Sequence, residues 1–220
     1  MISSNKHRRW LRFRVSLRTL FVLVLLVAVV ISWYGSQTRR AMRQQEAVKR
    51  IRQMGGHATF EYQLDSTRPN LGPPMPPRFL RGLTGNVVMS DVVKVSWHAP
   101  LAGVGDTQVL SELPRLKDLR LNMRRLTDDG IQPLEMLTQI HRLDLWCSQI
   151  TDEALPHLAG LRQLRTLDLY STQVTDKGLE HLYGLKNLEE VKLRGTHVTP
   201  QGAARLQKAL PNCQVLGVDG

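Results

Sequence analysis

The chain has 220 residues and a formal charge of +11, with 42% hydrophobic and 22% charged residues, a make-up that suits one or two small folded domains. Its two cysteines, Cys147 and Cys213, are too few for a disulfide scaffold or a structural zinc site. The basic excess does not point to a nucleic-acid-binding body: residues 1–56 hold 12 Lys/Arg against the single acid Glu46, whereas residues 57–220 hold 18 of each sign.

A basic tail, residues 1–14, precedes an apolar run. From Thr19 to Tyr34 there is no charge, and extending back to Val15 adds only Arg18. Twenty residues at about 1.5 Å each span about 30 Å, the thickness of a bilayer's hydrocarbon core. Arg18 can reach the headgroups at one end, while Trp33 and Tyr34 close the other as interfacial aromatics do. The bulky ISWYGSQ that follows is a poor signal-peptidase site, so residues 15–34 are expected to be an uncleaved signal anchor. Six basic residues flank it on each side, with those upstream packed closer. The positive-inside bias then leans to a single-pass protein with its C-terminal domain on the non-cytoplasmic side.

Residues 35–56 are rich in helix formers and predict a juxtamembrane helix with a thin stripe of Met42, Val48, Ile51 and Met54, stopping at Gly55-Gly56. It reads either as a solvated stalk or as a helix lying on anionic lipid. Residues 57–90 form an N-terminal cap. Within it HATFEYQL alternates as a half-buried strand with Ala58, Phe60, Tyr62 and Leu64 on one side, and the Pro-rich linker 66–77 is irregular.

Residues 91–220 are self-similar. Leu119, Leu143, Leu167 and Val191 step by 24, as do Leu121, Leu145, Leu169 and Leu193, and as do Leu126, Ile150, Val174 and Val198. A worn earlier copy holds Val95, Trp97, Leu110 and Leu113. Each copy reads L-x-x-L-x-L-x-x-(S/T)-x-(V/I)-T-D-x-G-L-x-x-L, a short strand, a turn, then a helix or 3-10 segment. Ser148, Thr172 and Thr196 are expected to hydrogen-bond the backbone of neighbouring turns. Thr127, Thr151, Thr175 and Thr199 fit helix N-caps, followed by Asp128, Asp152 and Asp176 at the positive helix end and by Pro200 in the last copy. Gly160 and Gly184 are placed to end the helices. One copy cannot bury its own apolar face, so the stack is the folding unit.

On these residues the chain resembles the 24-residue leucine-rich repeats with a T-D-x-G-L back half, as in F-box-type, cysteine-containing and related bacterial repeats. With RFRVSLRTLFVLVLL, AVKRIRQMGGHATFEYQ, SDVVKVSW and ALPNCQVLG, nearly the whole chain is similar to a bacterial family of small membrane-anchored leucine-rich-repeat proteins. The resemblance implies an α/β fold: a right-handed leucine-rich-repeat solenoid of about four to five repeats after one transmembrane helix, with no established catalytic activity. A ubiquitin-ligase-adaptor role does not carry over, since the chain has no F-box segment.

No nucleotide-binding, hydrolase or metalloprotease motif is present, and no cofactor or metal is expected. His157 and His181 share a repeat position and read as repeated surface residues rather than a weak metal pair. Cys147 reads as a buried or half-buried thiol and Cys213 as packing; Asp144 and Asp168 are expected to pair across strands with Arg120 and Lys192. Residues flanking the strand leucines point to the concave face, and their third column reads His98, Asn122, Trp146, Tyr170, Arg194. The expected function is binding of a protein or peptide by Trp146, Tyr170 and Arg194, with Arg120 and Lys192 tuning charge. The plainer reading is a solvated face on which Tyr170 and Arg194 stack. Self-association is the alternative role, and no nucleic-acid partner is expected.

Overall fold

A computed structural model describes residues 17–64, 90–98, 104–146 and 148–218. The basic tail 1–14, the linker 66–77, Pro100 and Cys147 lie outside these. The chain divides into two units, 1–39 and 40–220.

In the first unit the helix α1 (Leu17–Gln53) begins. Its apolar side chains Leu20, Phe21, Leu23, Leu26, Val30 and Trp33 are all exposed. By length and composition this helix can cross a bilayer.

In the second unit the remainder of α1, from Arg40, differs from both readings of a stalk or a lipid-bound helix. Ala41, Gln44, Ala47, Val48 and Ile51 are buried along one side, spaced as one face of a helix requires. The expected stripe counted Met42, which is exposed, and overlooked Ala41 and Ala47, whose small side chains allow the helix to approach closely. This segment caps the sheet. The helix ends where Gly55 takes φ +83°, a conformation that costs glycine little.

Seven strands form one sheet in chain order: β1 (Gly56–Phe60), β2 (Val92–Trp97), β3 (Asp118–Leu121), β4 (Arg142–Asp144), β5 (Thr166–Asp168), β6 (Glu190–Lys192) and β7 (Gln214–Leu216). β1 runs antiparallel to β2, with a register shift at Thr59/Phe60. All later pairings are parallel, and their register joins Lys94, Asp118, Arg142, Thr166, Glu190 and Gln214 in one row. The expected strand over 57–64 is therefore shorter. It stops at Phe60, a 3-10 turn (Glu61–Gln63) follows, and Leu64 is exposed. The Gln63 side chain accepts from the Phe60 N–H at 2.8 Å, which closes that turn. At the other end, β7 adds a strand just past Cys213.

The core is one continuous cluster running from Ala47, Val48 and Ile51 through the strand leucines to Leu210 and Cys213. Alternation does this work: Leu143 and Leu145 lie fully buried while Arg142 and Asp144 between and beside them do not. Burial pushes the Cys213 thiol up to about 11, with Glu190 adding to the effect, so it packs as a small apolar group.

Two side-chain hydrogen-bond patterns recur in successive coils. The hydroxyls of Ser148, Thr172 and Thr196 donate to the carbonyls of Leu145, Leu169 and Leu193 at 2.8, 2.8 and 2.6 Å. These lie three residues back in the same coil, not in neighbouring turns as expected. A short hydroxyl can reach its own tight turn but not across to the next one. Beyond the backbone pairing, the aspartates supply side-chain bonds between coils. Asp128 accepts from the Thr151 N–H and hydroxyl, Asp152 from those of Thr175, and Asp176 from those of Thr199, at 2.6–2.8 Å. The threonines meanwhile cap their own helices, Thr151 accepting from Glu153 N–H and Thr175 from Lys177 N–H. Thr127 makes no side-chain cap bond. Glycine in the repeat motif answers the same ladder: a Cβ on Gly178 would lie 2.3 Å from Asp152 Oδ1. One coil earlier Ala154 stands in that place, and there the turn Asp152–Ala154 is 3-10 rather than α-helical. Gly160 and Gly184 follow their helices as expected, but neither adopts a positive φ.

The ladder makes a pH prediction. Burial acts to raise the Asp176 carboxyl, but hydrogen bonds from Thr199 and the Arg205 guanidinium outweigh it and hold it below the ordinary carboxylate value. An acid depressed in the folded state stabilises above its unfolded pKa of about 4, and that contribution fades as pH falls through the lower folded value. Asp176→Asn is therefore expected to lower the melting temperature at pH 6. The gap to the wild type should narrow by pH 3, as followed by circular dichroism of the full chain. An equal gap at both values would remove Asp176 ionisation from the account.

Candidate functional site

The solvent side of the sheet carries three columns. The first two lie on the strands, and the third stands one residue or two beyond their ends. The four central carboxylates and their cations pair with one another. Lys94 lies 3.4 Å from Asp118, and Arg120 lies 3.4 Å from both Asp118 and Asp144. Arg142 lies 3.5 Å from Asp144, and Lys192 is 3.6 Å from Asp168 and 3.4 Å from Glu190. The expected cross-strand pairing of Asp144 with Arg120 and of Asp168 with Lys192 is formed. Such half-exposed pairs each contribute little to stability. Their consequence is electrical: the strand columns neutralise themselves.

Asp144 sits at the centre of this belt. Burial raises its carboxyl above the ordinary value, and the nearby Asp168 and Asp118 add to this against the pull of Arg142 and Arg120. Asp144 Oδ1 and Arg142 Nε are both buried without a hydrogen-bond partner, although they belong to one ion pair. Asp168 has a further duty, accepting from the Tyr170 N–H at 3.0 Å and so fixing the turn after β5.

In the third column Trp146 and Tyr170 meet edge to face, with ring centroids 6.0 Å apart and planes at 70°. Trp146 is 43% exposed beside the fully buried Leu145. The stacking of Tyr170 on Arg194 is not formed among the described residues; the tyrosine pairs with Trp146 instead. Of the five residues expected to bind a partner, the structure joins Trp146 to Tyr170. It pairs Arg120 and Lys192 with carboxylates and leaves the Arg194 side chain exposed.

Elsewhere, His157 bonds Glu135. Among the described residues no group of three or more His, Cys, Asp or Glu is placed to hold a metal ion. A cluster missed in the sequence closes the N-terminal end of the sheet. Asp91 receives Arg40 at 3.0 Å, Arg115 at 3.0 Å and Gln44 at 3.1 Å. Its signal was the spacing of Arg40 and Gln44, one helical turn apart on a face that otherwise reads apolar.

Parallel strands in one row, with buried leucines below and short helical turns returning behind, define the repeat class of this chain. Residues 161–182 match the family model described as a leucine-rich repeat. The parallel sheet and this match together support a leucine-rich-repeat fold. Proteins of this class are in general protein-interaction modules. Among solved structures, an internalin C2 from Listeria monocytogenes is 27% identical, covering 64% of this chain and 62% of that one, with a TM-score of 0.46. The leucine-rich-repeat ectodomain of the receptor kinase SOBIR1 from Arabidopsis thaliana is 17% identical, covering 80% and 92%, with a TM-score of 0.48. A leucine-rich-repeat protein of Leptospira interrogans is 23% identical, covering 50% and 27%, with a TM-score of 0.39. The chain thus spans 27% of the Leptospira protein and 62% of the internalin. No curated protein matches the sequence.

Proposed function

We propose that this chain is a membrane-anchored, non-catalytic binding module. Residues 15–34 hold it in the bilayer, and the repeat domain, on the non-cytoplasmic side, takes a protein or peptide on the solvent face of its sheet. The observation that carries this reading is the Trp146–Tyr170 pair, an exposed tryptophan against a half-buried tyrosine, beside a belt of charges that satisfy one another. Tryptophan, tyrosine and arginine are the side chains that most often dominate binding energy at interfaces. Crosslinking in native membranes, followed by identification of the attached protein, supplies the partner. Trp146→Ala and Tyr170→Ala should then each weaken binding by about 2 kcal/mol or more while the melting temperature stays put. Unchanged affinity in both variants would move the site to another surface.

The anchor has its own test. The chain is expected to stay in the membrane fraction through carbonate and high-salt washes, since about 20 apolar residues span a bilayer. Release by either wash would end the anchor reading. A self-association role draws support from β7, which has no further strand beside it among the described residues. Under that reading the full chain in lipid nanodiscs would sediment as a dimer or larger.

A further inference from the structure

The charges on the strand face carry information about the partner. Across the three columns the cations outnumber the carboxylates by one. Lys94, Arg120, Arg142 and Lys192 each lie within 4 Å of an aspartate or glutamate of the same face. Arg194 is the exception: among the described residues its guanidinium makes no hydrogen bond or ion pair, and the residue is exposed. Its backbone is nevertheless fixed, because its carbonyl accepts from the Ser171 N–H at 3.0 Å. It stands in the same column as Trp146 and Tyr170, beside the tyrosine.

Resting on the binding reading above, we infer that the partner presents an acidic segment: an apolar or aromatic side chain seated on Trp146 and Tyr170, and a carboxylate two or three residues away on Arg194. The spacing follows from sheet geometry. Neighbouring strands lie about 4.8 Å apart, so Trp146 and Arg194, two strands apart, are separated by about 10 Å. An extended peptide advances about 3.4 Å per residue, so three residues laid across the strands cover that distance. Among the described residues a basic segment finds no free carboxylate on this face, because all four are already paired. It would have to displace Arg120, Arg142, Lys94 or Lys192 first, whereas a carboxylate reaches Arg194 without breaking anything. Arginine also offers a forked pair of donors that matches a carboxylate.

The test is panning of a random 12-residue peptide display library on the full chain in lipid nanodiscs. Enriched peptides should carry Asp or Glu two or three residues from Trp, Tyr, Phe or Leu. Their affinity should fall at least tenfold on Arg194→Glu and survive Arg194→Lys. Peptides that require Trp146 and Tyr170 but lack the acid, or that bind Arg194→Glu equally well, would overturn the acidic partner and leave the binding face standing. No enrichment over the Trp146→Ala, Tyr170→Ala double variant would overturn both.

Discussion

Trp97→Ala is expected to cost about 3–5 kcal/mol, the usual penalty for deleting a buried tryptophan. Trp97 is fully buried at the end of β2, opposite Gly56 of β1 and in register with Leu121 of β3. Its indole N–H donates to the Met54 carbonyl at 3.1 Å, just past the end of α1. The ring therefore fills the space between the capping helix and the first parallel strand and also satisfies a helix-end carbonyl. Truncation leaves a cavity and an unpaired acceptor together. The loss should be local first. Hydrogen exchange of the full chain in detergent should show protection falling at Ala41–Ile51 while the amides around Leu169 remain protected. Unchanged exchange at Ala41–Ile51 with no loss of stability would mean that the helix is held by the Asp91 cluster alone.

Leu169→Ala should cost about 2–5 kcal/mol, because Leu169 is fully buried and its neighbours Leu145 and Leu193 are held by the backbone ladder and can close the gap only in part. Thr175→Ala provides the contrast. It removes a cap bond to Lys177 and the donor to Asp152, a loss of about 1–2 kcal/mol. Urea denaturation of the two variants should rank them in that order. If the threonine variant proved the worse, the inter-coil ladder rather than the leucine core would be the main source of cohesion.

The apolar columns of the repeat were readable because burial imposes a period on side-chain type. Leu143, Leu167 and Val191 could hardly be read otherwise. The capping segment of α1 was harder, since alanine and glutamine carry little hydrophobic signal and yet Ala41, Gln44 and Ala47 are buried. The Asp152–Thr175 bond was illegible for another reason. Each residue had a sufficient local explanation, the aspartate at a helix start and the threonine as a cap, and only the stacking brings one coil's carboxylate to the next coil's hydroxyl. The Trp146–Tyr170 pair stood in the predicted column, but the direction in which each ring turns depends on rotamers that sequence does not specify. The free state of Arg194 depends equally on what its neighbours hold.

The aspartate ladder is vectorial. Every carboxylate reaches forward, from Asp128 to Thr151, from Asp152 to Thr175 and from Asp176 to Thr199, while Pro200 has no carboxylate to offer a following coil. A change of length upstream of the proline therefore keeps this ladder in phase when it comes in whole modules. Duplicating residues 152–175 would keep each donor in phase with its acceptor, whereas inserting a few residues within a coil would leave one threonine facing the wrong oxygen. The array has a built-in reading frame, and Pro200 acts as its stop.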